Sequence, residues 1–348
     1  TVNPKATGTV TIIIDGKKYV DGIVDGKATL IVSDLAVGNY TIAVNYSGDV
    51  NFIGENATAN FTIGAVDPAL NVVVGNITYG NNATITVNAN SAATGKVNIT
   101  VNGVDHEVDI VDGRAVYTVV NPTAGKYTVT VSYNGDGNFT AATASTEFNV
   151  AKINPDMTVT VSNITYGNNA TVTVTVNNKV TGKVNVTVNG ATYEVDIVNG
   201  KGTLVVSGLA AGSYTVTVSY DGDGNFTAAT ATADFNVAKI SPDMNVDVST
   251  FDSETKANVT VNVNDKATGS VSISIDGGAA VNVAIVNGKA TYEFTGITNG
   301  THTVVVNYLG DGNFTEDSKT SEFYAGSGDA SLSITVSNIT YGNNASIV

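Results

Sequence analysis

The sequence predicts an all-β chain of tandem antiparallel β-sandwiches, and three observations carry that prediction. A segment of the form Tyr-x-Gly-Asp-x-Asn-Phe begins at Tyr46, Tyr133, Tyr220 and Tyr308, so it recurs in steps of 87, 87 and 88 residues. Between these segments Val and Ile alternate with Thr, Ser, Asn or Lys, the period of strands with one buried face. The breaks in the alternation hold Asn-Gly and Asp-Gly pairs, which accept the left-handed backbone of tight turns.

Other motifs keep the same step. Asn76 to Ala83 (Asn-Ile-Thr-Tyr-Gly-Asn-Asn-Ala) recurs at Asn163 and Asn338, with a diverged copy from Thr250 to Ala257. Ala93-Thr94-Gly95 matches Ala6-Thr7-Gly8, Val180-Thr181-Gly182 and Ala267-Thr268-Gly269. The one inserted residue falls in the turn at Asp276-Gly277-Gly278. These phases divide the chain into modules at 1–66, 67–153, 154–240, 241–328 and 329–348. The first module is expected to lack its opening strands and the last to consist only of them, so the sequence reads as an excised or processed piece. Ser331–Val348, with Leu332, Ile334 and Val336 in alternation, is expected either to continue into further chain or to complete the first module of a following copy by strand addition. It is not expected to pack on the first module of its own chain.

The module at 154–240 shows the elements in order. Strands are expected at Met157–Ser162, Ala170–Val176, Lys183–Val188, Tyr193–Val198, Gly202–Ser207, Ser213–Tyr220 and Ala228–Val237. Asn189-Gly190 and Asn199-Gly200 read as tight hairpin turns, and Asp221 to Gly224 as a longer one. Seven short strands with a turn signal about every 10 residues specify a sandwich of the immunoglobulin type. Pro68, Pro155 and Pro242 stand where modules meet, so the joints are expected to be short and stiff. Tyr40, Tyr127 and Tyr214, each two residues after a Gly, have the placement of a tyrosine corner. His302 takes that position in the fourth copy, and His106 stands where other copies have Tyr19 and Tyr193, so both read as packing variants. Met157 and Met244 align with Leu70 and Leu332 as core fillers. Phe148, Phe235 and Phe323 are expected to be buried on the last strand.

Composition narrows the function. Among 348 residues there are 48 Thr and 41 Asn, 16 Lys plus Arg against 31 Asp plus Glu, and no Cys. A net charge of −15 argues against a nucleic-acid partner, which draws on clustered cations. The missing Cys excludes disulfides, thiolate catalysis and Cys-ligated metals. No apolar run is long enough to span a membrane. No Ser-His-Asp set, recurring carboxylate pair or phosphate-binding glycine loop can be assembled, so the chain reads as a non-enzyme without cofactor or metal.

Two signals remain. Asp49, Asp136, Asp223 and Asp311 mark an acidic turn that has some calcium-loop character but too few ligands, and it reads as a hairpin loop. Asn-X-Ser/Thr sequons number seventeen. The candidates for glycosylation are Asn76, Asn82, Asn98, Asn138, Asn163, Asn169, Asn185, Asn225, Asn313 and Asn338, with Asn98 and Asn185 expected on outward strand positions.

Asn163 to Ala170, Gly182-Lys-Val-Asn-Val-Thr-Val-Asn-Gly190, Leu209-Ala-Ala-Gly-Ser-Tyr214 and Tyr220 to Phe226 together resemble the bacterial-type Ig-like repeats of large surface proteins. Their Asn- and Thr-rich style is most similar to adhesin-like proteins of methanogenic archaea. The resemblance implies an extracellular, surface-attached stalk, meeting neighbouring modules or chains end to end, with any cell-surface target held by a domain outside this window. Some such repeats carry Lys–Asn cross-links, but no Lys holds one core position in every copy here, since Lys152 and Lys239 align with Ala65. An alternative reading has the modules themselves bind a glycan or protein, which calls for exposed, copy-specific aromatic residues.

Overall fold

A computed structural model describes residues 1–250 and 255–326, with 334 and 341 besides. The diverged turn at 251–254, the strands expected at 329–348 and Asn338 lie outside the described residues, as does the docking of Ser331–Val348. Every regular element described is a strand, as the period-two alternation requires. Among the described residues no helix is long and apolar enough to cross a membrane. The chain divides into two compact units, Thr1–Asn154 with Gly222–Thr227, and Pro155–Asp221 with Ala228–Val348.

In the first unit, β1 (Thr9–Ile14), β2 (Lys17–Gly22), β3 (Gly38–Gly48) and β4 (Ile53–Ile63) form one sheet in the order β2-β1-β3-β4. Val10, Ile12, Ile14 and Tyr46 line its buried face. The second copy is a complete sandwich. β5 (Asn71–Val73), β7 (Ala83–Asn88) and β10 (Arg114–Val119) form a three-stranded sheet ordered β10-β7-β5. β6 (Ile77–Thr78), β8 (Lys96–Val101), β9 (Val104–Asp109), β11 (Gly125–Tyr133) and β12 (Ala142–Ala151) form the other, ordered β6-β12-β11-β8-β9. Ile85 and Val87 from one sheet meet Val97, Ile99, Val129, Val131 and Phe148 from the other in the core between them.

The second unit repeats this plan. The third copy has β13 (Thr158–Val161), β14 (Ile164–Thr165), β15 (Ala170–Thr175), β16 (Lys183–Val188), β17 (Ala191–Asp196), β18 (Lys201–Val206), β19 (Gly212–Tyr220) and β20 (Ala229–Ala238). Its sheets are β13-β15-β18 and β14-β20-β19-β16-β17. The fourth has β21 (Asn245–Thr250), β22 (Lys256–Asn262), β23 (Ser270–Ile275), β24 (Val281–Ala284), β25 (Lys289–Thr295), β26 (Gly300–Tyr308) and β27 (Asp317–Ala325). These form β21-β22-β25 and β24-β23-β26-β27.

Two expectations are corrected and one is refined. The sandwich is not wholly antiparallel, because the first strand breaks in two and its second piece changes sheet. β6 and β14 then lie parallel to the last strands, with Ile77 opposite Val150 and Ile164 opposite Val237. An amide side chain extends each pairing: Asn76 Oδ1 accepts from Asn149 N at 2.7 Å, and Asn163 Oδ1 from Asn236 N at 2.8 Å. Asn199-Gly200 is the tight turn expected, with Val198 and Lys201 exchanging backbone bonds across it, but the strands it joins, β17 and β18, belong to different sheets. Gly200 has φ +74°, and a Cβ there would stand 2.7 Å from the Val176 carbonyl, so only glycine fits. Phe148 and Phe235 are fully buried, whereas Phe323 is only partly so. Its cross-strand neighbour is His302 rather than the Tyr found opposite Phe148 and Phe235.

Candidate functional site

The acidic turn is where the copies meet. Gly135 opens it at φ +83°, and a Cβ on it would lie 2.6 Å from the Phe139 carbonyl, which explains why every copy keeps glycine there. Asp136 then binds its own turn, Oδ1 accepting from Asn138 N at 2.8 Å and Phe139 N at 2.9 Å. Its Oδ2 accepts from Thr94 N at 2.9 Å and Thr94 Oγ1 at 2.8 Å, in the Ala-Thr-Gly loop. Tyr133 closes the clasp by donating its OH to the Thr94 carbonyl at 3.1 Å. Asp49 makes the same contacts with Thr7, and Asp311 with Thr268.

The electrostatics follow from these bonds. The amide of Asn138 and the hydroxyl and amide of Thr94 hold the Asp136 carboxyl well below the usual carboxylate range. Asp49 is lowered by Thr7 N first and then Asn51 N. At Asp311 burial pushes the other way, and the donors from Asn313 and Thr268 together outweigh it. Burial, with Asp311 nearby, pushes the Tyr308 phenol up to about 12. Four donors per carboxylate make the turn a hydrogen-bonded knot.

The outer side of the knot holds the preceding copy. Asn138 Oδ1 accepts from Val37 N at 3.2 Å within the first unit, and Asn313 Oδ1 accepts from Ala211 N at 2.9 Å within the second. The turn Gly222–Thr227, part of the first unit, repeats the contact: Asn225 Oδ1 accepts from Ala124 N at 2.9 Å. The backbone adds a pair of bonds at each site. Val66 N donates to Asn138 O and Thr140 N to Val66 O; Ile153 does the same with Asn225 and Thr227, and Ile240 with Asn313 and Thr315. The sequon threonines also point their hydroxyls at these linker carbonyls, 3.4–3.5 Å away. Lys152 Nζ donates to the Asp223 carbonyl and Lys239 Nζ to that of Asp311. Tyr79 packs edge-on against Phe226, and Tyr166 against Phe314, each at 5.6 Å between ring centroids.

The sequon asparagines therefore divide by environment. Asn76, Asn82, Asn138, Asn163 and Asn169 are exposed, while Asn225 and Asn313 are half-buried in the joints. Asn82 Oδ1 accepts from Asn121 N at 3.0 Å. Asn98 and Asn185 are half-buried rather than freely outward, and the Asn98 Oδ1 is buried. Both lie on a central strand flanked on each side, Asn98 by Glu107 and Ser132 and Asn185 by Glu194 and Ser219. The joint roles of Asn138, Asn225, Asn313, Lys152 and Lys239 are absent from the sequence reading. The available signal is that the turn Asn is constant in all copies, but an Asn-Phe-Thr sequon has the same letters.

The corner tyrosines behave as expected: Tyr40, Tyr127 and Tyr214 donate to the carbonyls of Ala36, Thr123 and Ala210. His106 stacks on Tyr117 with centroids 4.1 Å apart. His302 does more than pack, since both ring nitrogens have oxygen partners, Asp276 Oδ2 and the Thr298 carbonyl.

The family model described as Bacterial Ig-like domain (group 3) matches residues 1–64, 70–151, 157–238 and 244–325. No curated protein matches the chain. Among solved structures, Sidekick-1 immunoglobulin domains 1–5 are 14% identical, with a TM-score of 0.30, and the match covers 93% of this chain and 76% of that one. The titin domains Z1Z2, solved in complex with telethonin, are 18% identical with a TM-score of 0.31, over 50% of this chain and 98% of that one. Fibronectin(III)-like modules of Clostridium thermocellum CbhA are 14% identical with a TM-score of 0.21, over 49% and 94%.

Proposed function

We propose, from the premise that this chain belongs to the bacterial Ig-like domain (group 3) family, that it is a non-enzymatic stalk segment of an adhesin-like extracellular surface protein. The observation that carries this reading is the repeated joint. The same Asn side chain, backbone pair and sequon threonine recur at each acidic turn that follows a linker, at Asn138 and Asn225 within the first unit and at Asn313 within the second. A joint specified by the repeat itself lets length grow by duplication without new interfaces. The binding reading has one observation in its favour. Tyr324 is about half exposed where other copies have Asn149 and Asn236. A single ring offers little stacking area, so the stalk is the stronger reading.

Small-angle scattering of the full chain tests the stalk. Strand rise and turns make a module about 40 Å long, so a stiff array has a maximum dimension on the order of 150 Å. Asn313→Ala is expected to broaden the distribution of shapes without unfolding a module. A wild-type dimension below about 100 Å, as for copies that fold back on one another, overturns the proposal.

Glycosylation belongs to the same proposal. Asn76 and Asn82 in the second copy, and Asn163 and Asn169 in the third, are the acceptors that exposure favours, and sugars there would shield turns and edges from proteases. Intact-mass analysis of native material should show hexose-sized increments above the polypeptide mass. A mass equal to the bare polypeptide removes this part of the proposal.

A further inference from the structure

The fourth copy departs from the others at two places that touch. The turn after its third strand carries Asp276 where two other copies have Asn102 and Asn189, and the corner residue on β26 is His302 where three copies have Tyr. Asp also occurs in the first copy, as Asp15, but there the corner is Tyr40. Only the fourth copy combines the two. Part of the ordinary arrangement survives: Thr303 N donates to Asp276 Oδ1 at 2.9 Å, as Thr128 N donates to Asn102 Oδ1. The Thr298 carbonyl is likewise the counterpart of those that accept from the corner tyrosines.

The addition is a second oxygen facing the ring. His302 Nδ1 lies 2.6 Å from Asp276 Oδ2, and Nε2 lies 2.7 Å from the Thr298 carbonyl. A carboxylate and a carbonyl only accept hydrogen bonds, so both contacts exist together only when both ring nitrogens carry hydrogen. His302 is 7% exposed, whereas the Asp276 carboxylate that it meets is about half exposed, so water reaches the pair from the Asp276 side only. A neutral ring would turn one nitrogen lone pair toward an oxygen lone pair at hydrogen-bond distance. Tyrosine at the same corner faces no such choice.

We propose that His302 and Asp276 form a proton-dependent latch, unique to the fourth copy among those described, which ties the corner before β26 to the β23–β24 turn and loosens when His302 loses its proton. Among the described residues, the other elements around the ring offer no second ion pair to it. On β27 the residue opposite is Phe323, with centroids 5.4 Å apart, and the neighbouring Glu322 and Tyr324 are exposed. On β25 Phe294 lines the shallow pocket beside the ring, and Glu293 is turned to Lys256 at 3.8 Å. The loop Gly296–Asn299 has no charged residue.

The sign follows from the partners. The Asp276 bond and the Thr298 carbonyl raise the affinity of His302 for its proton above that of an ordinary histidine. The latch is therefore complete below the unfolded-state value near 6.5 and is lost as pH rises through the higher folded-state value. Asp276 is lowered by its bond to His302, so its share disappears only as pH falls below the ordinary carboxylate range. The latch has its full strength at mildly acidic pH.

The test is amide hydrogen exchange of the full chain at pH 6 and pH 9, corrected for intrinsic rates, in wild type and in Asp276→Asn. Long-range nitrogen NMR of the His302 ring accompanies it. Asp276→Asn keeps the acceptor for Thr303 N, as Asn102 does in the second copy, and should fold. In wild type the protection of 272–280 and 298–304 is expected to fall severalfold between the two pH values, in the direction set by the raised proton affinity of His302. In Asp276→Asn the protection should be independent of pH. His302→Tyr, which restores the corner of the other copies, should also remove the dependence. Equal pH dependence in wild type and Asp276→Asn, or a His302 ring that titrates at or below the ordinary value, overturns the latch.

Discussion

Replacing Phe235 with Ala is expected to make the third copy melt well before its neighbours. The ring is 2% exposed on β20, opposite Tyr214 and stacked on it at 5.5 Å. Removing it takes about 3–5 kcal/mol of transfer and cavity energy from the sandwich. In a domain of this size that lowers the midpoint by more than about 10 °C. Differential calorimetry of the full chain should show a new transition at lower temperature, and proteolysis at that temperature should cut within 157–238 first. A melting profile identical to wild type would remove Phe235 from the core. Phe323→Ala in the fourth copy should cost less, because that ring is only partly buried against His302.

Replacing Asp311 with Ala is expected to open both the turn and the joint built on it. Four donors lose their acceptor at once: the amides of Asn313, Phe314 and Thr268 and the Thr268 hydroxyl. Asn cannot substitute, since its amide group would turn donors toward donors. The midpoint of the fourth copy should fall by about 5 °C or more. The amides of Ala211 and Ile240, which rely on Asn313 being held in place, should exchange faster. Acid should mimic the change in wild type. The folded-state carboxyls of Asp49, Asp136 and Asp311 are lowered, so their contribution is present above the unfolded value of about 3.9 and is lost as pH falls toward their own. If Asp311→Ala left exchange at Ala211 and Ile240 unchanged, the turn would not be what positions the joint.

The repeat, the all-β class and most strand bounds are legible along the chain alone, because they are written in patterns a few residues long. Alternation along Lys183–Val188 states which side of a strand is apolar, and Asn189-Gly190 states where the chain must turn left-handed, φ 50° and 76°. Packing settles what depends on partners far along the chain. Ile164–Thr165 is too short to show a period, and it is a strand only because Val237 and Ala238 lie beside it. Asn225 looks like any other sequon asparagine until the amide of Ala124, 101 residues earlier, is brought to its side-chain oxygen. The same holds for His302, whose two acceptors come from a turn 26 residues before it and a loop four residues before it. Side-chain period and turn chemistry are local properties of the backbone, whereas a hydrogen bond between distant segments exists only after both sheets have packed and excluded water.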